Sequence, residues 1–370
     1  MQNIIIVGAG PSGIGLGVLF KKLGIVNFSI LEKDIVGSSF YQWPKEMRLI
    51  TPSFTGQGFG ALDLNAIAPN TSPAYTFNKE HLSGEEYGDY LQLLASYFEL
   101  PIIEQTKVIH VKKEQDVFKL ETNHGLIETR TLIWATGEFQ FPNDRPFPGA
   151  EFARHNGQIK SWKKIRAEHA TVIGGYESGV DAAYHLTSLG KKVTLISPTF
   201  LFPNEQDADP SLSLSPFTQE RLRLALRTKL LRIIENTSVQ SIKKLGTSFQ
   251  FSLSDGSTFE AKTKPILATG FISGAKQIDS LFEWQENGKP LLTENDESTL
   301  VQNLFLIGPN VQHHQAVFCF IYKFRQRFAV VAQTIVDRFH LPHDSNVFTE
   351  YRANQMYLED LSCCEVNCEC

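Results

Sequence analysis

Short apolar runs recur along the chain with little polar interruption: Ile4-Ile5-Ile6-Val7, Phe28-Ser29-Ile30-Leu31, Leu132-Ile133-Trp134-Ala135, Val193-Thr194-Leu195-Ile196, Ile266-Leu267-Ala268 and Leu304-Phe305-Leu306-Ile307. A half-exposed strand alternates apolar and polar positions; runs like these, closed by small residues, read as buried strands of a parallel sheet. Between them, 14–20, 84–94 and 180–189 read as helices, while 108–111 and 118–120 read as strands. Asn123-His124-Gly125 reads as a hairpin turn into a strand at 126–129, separate from the buried one at 132–135. A long helical pattern runs from about Gln315 to Arg338.

The first of these strands, and a further apolar run at Ala170-Thr171-Val172-Ile173, lead into glycine turns that open a helix. Gly8-Ala9-Gly10-Pro11-Ser12-Gly13 follows the first, and Gly174-Gly175-Tyr176-Glu177-Ser178-Gly179 stands about half the chain later. Such a turn brings backbone close to a pyrophosphate, whose charge meets unpaired amides and the positive end of the helix dipole. Glu32 ends the following strand, about 20 residues on, where an acid grips a ribose diol. Each turn is followed, roughly a hundred residues later, by an apolar strand ending Ala135-Thr136-Gly137 or Ala268-Thr269-Gly270. The architecture is therefore duplicated, and two dinucleotides are expected.

Composition narrows the classes. The 370 residues are enough for two or three domains, and 42% hydrophobic with 20% charged is ordinary for a globular protein. A net charge of −5 argues against a nucleic-acid surface, and Lys112-Lys113, Lys163-Lys164 and Lys191-Lys192 read as solvated faces. No apolar run approaches the ~18 residues of a membrane span. The N-terminal apolar stretch lacks a basic region before it and is taken up by the glycine motif, so a cytoplasmic location is expected.

In this order the elements resemble the two-dinucleotide flavoproteins: flavin-containing monooxygenases, thioredoxin reductase-like pyridine nucleotide oxidoreductases, and bacterial single-component monooxygenase-like flavoproteins. The resemblance covers nearly the whole chain. It implies an α/β fold of two Rossmann-like three-layer domains. An FAD domain would comprise 1–145 and 272–345, with an NAD(P)H domain, 146–271, inserted into it and a C-terminal extension at 346–370.

For FAD, the resemblance implies Gly8, Gly10 and Gly13, with Pro11 and Ser12, at the pyrophosphate, and Glu32, beside Lys33, at the adenosine ribose. Val108 would meet adenine through its backbone, and Ser39, Phe40 and Trp43 would lie along the isoalloxazine. Ala135, Thr136 and Gly137 belong to the same site, with Gly308 and Pro309 at the ribityl and pyrimidine side. A helix from Gln315 would aim its positive end at the ring and stabilise an anionic reduced flavin. For NAD(P)H the implied residues are Gly174, Gly175, Glu177, Ser178, Gly179, Ser197, Thr269 and Gly270. Tyr176 departs from the pattern, standing where the middle glycine is expected and narrowing the approach to the pyrophosphate. The strand ending at Ser197 offers no acid for a ribose 2′-hydroxyl, which leans toward NADPH over NADH.

Three chemistries remain open. Monooxygenase relatives carry F-x-G-x-x-x-H-x-x-x-W between the two motifs; the stretch 147–162 keeps aromatic, Ser161 and Trp162 elements. His155, however, is out of register with Trp162 and reads as a surface-loop histidine. A disulfide reductase needs a thiol at the flavin, yet the body of the chain has no C-x-x-C. Ser12 stands where bacillithiol disulfide reductase-like relatives hold a cysteine, and Cys319 reads as a small buried hydrophobe. Four of the five cysteines, Cys363, Cys364, Cys368 and Cys370, crowd the last eight residues. Such thiols bind a soft metal, cycle through disulfides like the C-terminal pair of mercuric reductase, which this tail resembles in position, or form an inert tail. Action on a neighbour's flavin would require a homodimer. The third class is a flavoprotein sensor without turnover, for which Tyr176 is the argument. The favoured reading is an FAD-dependent NAD(P)H oxidoreductase of the monooxygenase-like group, acting on a small-molecule substrate. Lys45, Arg48, His313 and His314 are marked only by proximity to expected flavin segments, and no catalytic acid or base is assigned.

Overall fold

The computed structural model describes residues 2–56, 60–199 and 209–362. The chain divides into two compact units. The first comprises segments within 1–41, 51–138 and 273–370, and the second 42–50 and 139–272.

The first unit is built on a seven-stranded sheet in the order Ile102–Ile103, Phe28–Leu31, Gln2–Val7, Gly125–Trp134, Val117–Thr122, Val108–Glu114, with Leu304–Leu306 also paired to Gly125–Trp134. The uninterrupted apolar runs form its parallel part, and Ile4, Ile5, Ile6, Ile30, Leu132, Ile133 and Phe305 are buried. Each such side chain contributes about 1.5–3 kcal/mol on leaving water. The two strands expected at 126–129 and 132–135 are one strand, Gly125–Trp134. Its first half pairs antiparallel with Val117–Thr122, and its last residues pair parallel with Leu304–Leu306. Glu128 and Arg130, which break the apolar pattern, are exposed where the strand passes from one partner to the other. Helix Gly84–Tyr97 begins with a capping box in which Ser83 and Glu86 each bond the other's backbone amide, worth about 1 kcal/mol.

The helical pattern from Gln315 to Arg338 is not one helix. Gln315 is exposed in the turn between Gln312–His313 and Ala316–Val317. Helix begins only at Ile321–Phe324, tightens to a 3₁₀ turn at Arg325–Arg327, and resumes as Phe328–Phe339. Tertiary bonds override the periodicity. His313 Nε2 lies 2.5 Å from the Oδ1 of the fully buried Asp296, which anchors the hairpin. Arg327 Nε donates to Asp296 Oδ2 at 3.0 Å, and Arg325 Nη1 donates to the carbonyls of Asp63 and Ala66 at 2.5 and 2.6 Å.

The second unit carries a five-stranded parallel sheet in the order Leu231–Ile234, Lys192–Ile196, His169–Ile173, Ile266–Leu267, Arg154–His155, and a separate antiparallel meander, Val239–Leu245, Ser248–Leu253 and Thr258–Ala261. Neighbouring residues of one strand face opposite cores. Val172 packs with Trp162, Leu186, Leu195 and Leu222, whereas Ile173 packs with Ile196, Phe251 and Leu267. Both units are thus α/β layers of Rossmann type. Segment 42–50 is held to this unit by Lys45 N–H donating to Lys160 O (3.0 Å), and by the Glu46 carboxylate, which accepts from Ser161 Oγ (2.6 Å) and Trp162 N (3.0 Å).

Candidate functional site: two glycine cradles

The first turn is shaped by contacts that leave no room for side chains. Gly8 has φ +108°, and a Cβ there would stand 2.5 Å from Ala135 O; one on Gly13 would stand 1.9 Å from Gly8 O. Gly308, also at φ +108°, would place a Cβ 2.8 Å from the Oγ of the buried Ser12. Gly10 differs, for a Cβ there meets nothing within 4 Å. Helix Pro11–Lys22 starts at this open position with no side chain capping its amides and no acid in its first turn. Glu32 lies beneath the turn, its Oε2 accepting Ala9 N–H at 2.8 Å and its Oε1 accepting Asp34 N–H at 2.9 Å. Burial pushes the Glu32 carboxyl up, against the opposing pull of those two amides. Oε2 keeps a lone pair for a ribose hydroxyl. The Thr136 hydroxyl is buried without a hydrogen-bond partner, beside the backbone that Gly8 packs against. An open, uncapped helix start, a carboxylate with spare capacity and an orphaned hydroxyl fit the pyrophosphate and ribose of a dinucleotide such as FAD.

The remaining residues expected at this cofactor are spread over both units. Val108 is buried at the start of its strand, and the segment before it is tied to Glu32 through Thr106 N–H to Glu32 O at 2.8 Å. Lys33 lies 3.5 Å from Asp34. Ser39 and Phe40 occupy the single-turn helix Ser38–Tyr41, and Phe40 contacts the Tyr87 ring, centroids 4.8 Å apart. Trp43 falls in the second unit, against Phe139 at 6.3 Å. Pro309 is followed by Asn310, which bonds the Gly137 carbonyl at 3.3 Å. Gln315, in its hairpin turn, starts no helix, so a helix N-terminus is not what the chain offers there.

The second turn repeats the first. Gly174 has φ +107° and its Cβ would meet Ala268 O at 2.2 Å; a Cβ on Gly179 would meet Gly174 O at 1.8 Å. Tyr176 takes the position of Gly10 with nearly the same backbone, φ −99° and ψ −163° against −84° and −169°. Its hydroxyl lies within hydrogen-bond reach of the carbonyls of Ser211 and Ser213, at 2.9 and 2.8 Å, so the side chain is drawn along that segment. Glu177, at the first position of helix Glu177–Ser188, is engaged by the next helix start: it accepts Ser215 N–H at 2.6 Å and the Thr218 hydroxyl. Ser178 follows it, half-buried in the first turn, and Gly175 precedes Tyr176 in the buried floor. Ser197 is buried, with its hydroxyl donating to Thr199 O at 2.8 Å, and Thr269 donates to Asn143 O at 2.7 Å. The two cradles therefore share a backbone and differ in Tyr176 against Gly10, in the acid Glu177 at the helix start, and in a hydroxyl, orphaned at Thr136 and bonded at Thr269.

A family model described as pyridine nucleotide-disulphide oxidoreductase matches residues 5–308, from the first strand to the glycine at Gly308. The chain belongs to this family. An uncharacterized CzcO-like oxidoreductase of Geobacillus kaustophilus is 27% identical over 191 residues, which take in 50% of this chain and about half, 51%, of that protein. Bacilliredoxin reductase Bdr of Bacillus subtilis is 22% identical over 340 residues, 91% of this chain and 98% of Bdr. Among solved structures, bacillithiol disulfide reductase Bdr (YpdA) of Staphylococcus aureus superposes with a TM-score of 0.74 at 19% identity, covering 91% of this chain and 99% of that one. A flavin-containing monooxygenase of Stenotrophomonas maltophilia gives 0.68 at 17% identity, with 91% and 98% covered. The two share the fold of this pyridine nucleotide-disulphide oxidoreductase chain.

Some residues of this oxidoreductase were misread or missed in the sequence. His155 is not a surface histidine; it is 1% exposed. Its Nε2–H donates to Gly270 O at 2.9 Å, which leaves Nδ1 to accept Gly157 N–H at 3.1 Å, and its ring meets Phe271 edge-on. Burial holds its pKa below the usual histidine range, against the Gly270 bond and the Asp144 charge. Glu138, directly after the Ala-Thr-Gly turn, has its carboxyl pushed up by burial, with only Lys289 opposing. Asn156 is fully buried with neither side-chain atom bonded. Only the neighbouring glycine turns marked these positions in sequence. Cys363, Cys364, Cys368 and Cys370 lie outside the described residues. Among the described residues, no cluster of histidine, cysteine and acidic groups is arranged for a metal, and no helix is long and apolar enough to cross a membrane.

Proposed function

We propose that this chain is an FAD-dependent NAD(P)H oxidoreductase, with FAD in the first cradle, NAD(P)H in the second, and oxygen with a small organic substrate as the electron acceptor. The observation that carries the reading is the duplicated turn: Gly8, Gly13 and Ala135 on one side, Gly174, Gly179 and Ala268 on the other, locked by the same close approaches. When bound, FAD supplies hydride acceptance from the nicotinamide and onward electron transfer. The chain's own part is to bind and orient. Uncapped amides at Gly10 would hold the FAD pyrophosphate, Glu32 the ribose and Thr136 a cofactor oxygen. NAD(P)H would lie along Gly174–Gly179, with NADPH favoured because no acid ends the strand Lys192–Ile196.

The monooxygenase reading is supported by the absence of a C-x-x-C pair and by Ser12 in place of a cysteine at the first turn. A second reading, an NAD(P)H-dependent thiol–disulfide reductase, is favoured by the nearly full-length match to Bdr and by the cysteines of the tail. Anaerobic stopped-flow absorbance separates them. Holoprotein is mixed with NADPH or NADH, then with oxygenated buffer, and in a parallel arm with a low-molecular-weight disulfide. Bleaching by NADPH, followed by a slow and spectrally distinct phase in oxygen, is expected of a site that excludes water. Direct reoxidation that the disulfide accelerates, and that a variant ending at 362 loses, would replace this reading with the thiol one. No bleaching by either nucleotide would leave a flavoprotein without turnover.

A further inference from the structure

A cleft of about 430 Å³ opens within the second unit, between segment 42–50 and the surface made by Trp162–Lys164, Glu177–Ser188 and Pro216–Arg227. Four permanent cations line it, Lys45, Arg48, Lys163 and Arg221, together with His185, against one carboxylate, Glu46. That carboxylate is already engaged. Burial pushes Glu46 up, but the Ser161 hydroxyl, the Trp162 amide and the His185 charge together hold it below the ordinary range, and both oxygens point to the 3₁₀ turn they cap.

The cations, in contrast, have donors to spare. Arg48 places Nη1 on the carbonyls of Lys45 and Met47, 2.8 Å each, which fixes the guanidinium and leaves its other donors. Arg221 places Nη1 on Asp181 at 2.6 Å and spreads over the rings of Phe217 and Tyr184, centroids 4.1 and 5.0 Å from its Cζ. The ammonium groups of Lys45 and Lys163 enter no ion pair among the described residues. His185 Nε2 is buried and makes no hydrogen bond, although Asp181 Oδ1 is 3.3 Å away. No residue of the glycine turn or of strand Lys192–Ile196 lines the cleft, so it stands apart from the second cradle.

The geometry points to a binding site for a small phosphate-bearing molecule, inorganic phosphate or a phosphate monoester, that ties segment 42–50 to the body of the second unit. Two guanidinium forks held in fixed orientation, with ammonium point charges beside them, form the donor set that phosphoryl oxygens require. The volume suits a small metabolite rather than a macromolecular surface. Lys45 and Arg48 come from one wall, and Lys163 and Arg221 from the other. An anion between them converts repulsion across the cleft into attraction.

The test uses FAD-loaded protein, with and without saturating NADP⁺, titrated calorimetrically with inorganic phosphate, glycerol 3-phosphate and succinate at constant ionic strength. Hydrogen exchange of segment 42–50 is followed in the same samples. Saturable binding of phosphate or the monoester is expected, with slower exchange confined to 42–50. In the double variant Lys45→Gln, Lys163→Gln, whose exposed side chains carry no fold contacts, affinity falls roughly tenfold or more through loss of two charge-assisted donors. Tighter binding of the monoester than of phosphate identifies an organic ligand; the reverse identifies the free ion. Equal heats in wild type and variant mean an adventitious ion only and overturn the site. So does binding abolished by NADP⁺, which assigns the phosphate to the nucleotide's own cradle, and so does a preference for succinate.

Discussion

Gly8 and Gly10 stand two residues apart and answer to different constraints. Gly8 is required by the fold, because its φ of +108° and the Ala135 carbonyl exclude a side chain. Gly10 is not, since its backbone is extended and a methyl group there meets open space. Gly8→Ala is therefore expected to destabilise by about 1–3 kcal/mol from backbone strain alone, with the clash added. Gly10→Ala should leave the melting temperature nearly unchanged while weakening FAD; thermal melts with and without FAD measure both. The glycine turns and Glu32 were legible in the sequence because their chemistry admits few other residues. His155 was not, since nothing local distinguishes a buried neutral histidine from an exposed one. Its depressed pKa has a consequence for stability. The unfolded chain takes up a proton as pH falls below about 6.5 while the folded one resists, so stability is present above that pH and declines on acidification through the folded value. In His155→Gln that part of the decline should vanish from urea melts between pH 7 and 5, even if the variant is less stable throughout.

At the level of elements, uninterrupted apolar runs located the parallel strands because burial on both faces removes the alternation a half-buried strand would show. The errors fell where one element serves two partners or where a buried ion network sets the path. Strand Gly125–Trp134 carries polar residues at its change of partner, and the hairpin at 312–317 is fixed by Asp296, a residue with no local pattern to announce it. That network makes a sharp prediction. Asp296 and Arg327 are both fully buried and paired through two hydrogen bonds, Nε to Oδ2 and Nη2 to Oδ1, each 3.0 Å. Arg327→Met leaves the carboxylate buried beside His313 without its cation and should cost about 3–5 kcal/mol in denaturant unfolding. The double variant Arg327→Met, Asp296→Leu should recover a large part of that loss.

For the whole molecule, the duplication was readable from two glycine turns and two Ala-Thr-Gly endings, since each half repeats the same close approaches. The membership of segment 42–50 was not readable. Its sequence continues smoothly from the expected flavin segment, and the bonds of Lys45 and Glu46 to Lys160–Trp162 reveal where it packs. The chain accordingly passes between the units at 41/42, 50/51, 138/139 and 272/273. An enzyme whose smaller half was a simple insert could yield that half by cutting at two places. Here the piece spanning 139–272 would carry Ser161 and the amide of Trp162 without the Glu46 carboxylate that accepts from them, and the Lys160 carbonyl without the Lys45 amide. Repetition and modularity come apart: two units that repeat one turn are threaded together by a short segment, 42–50, that two cuts would leave behind.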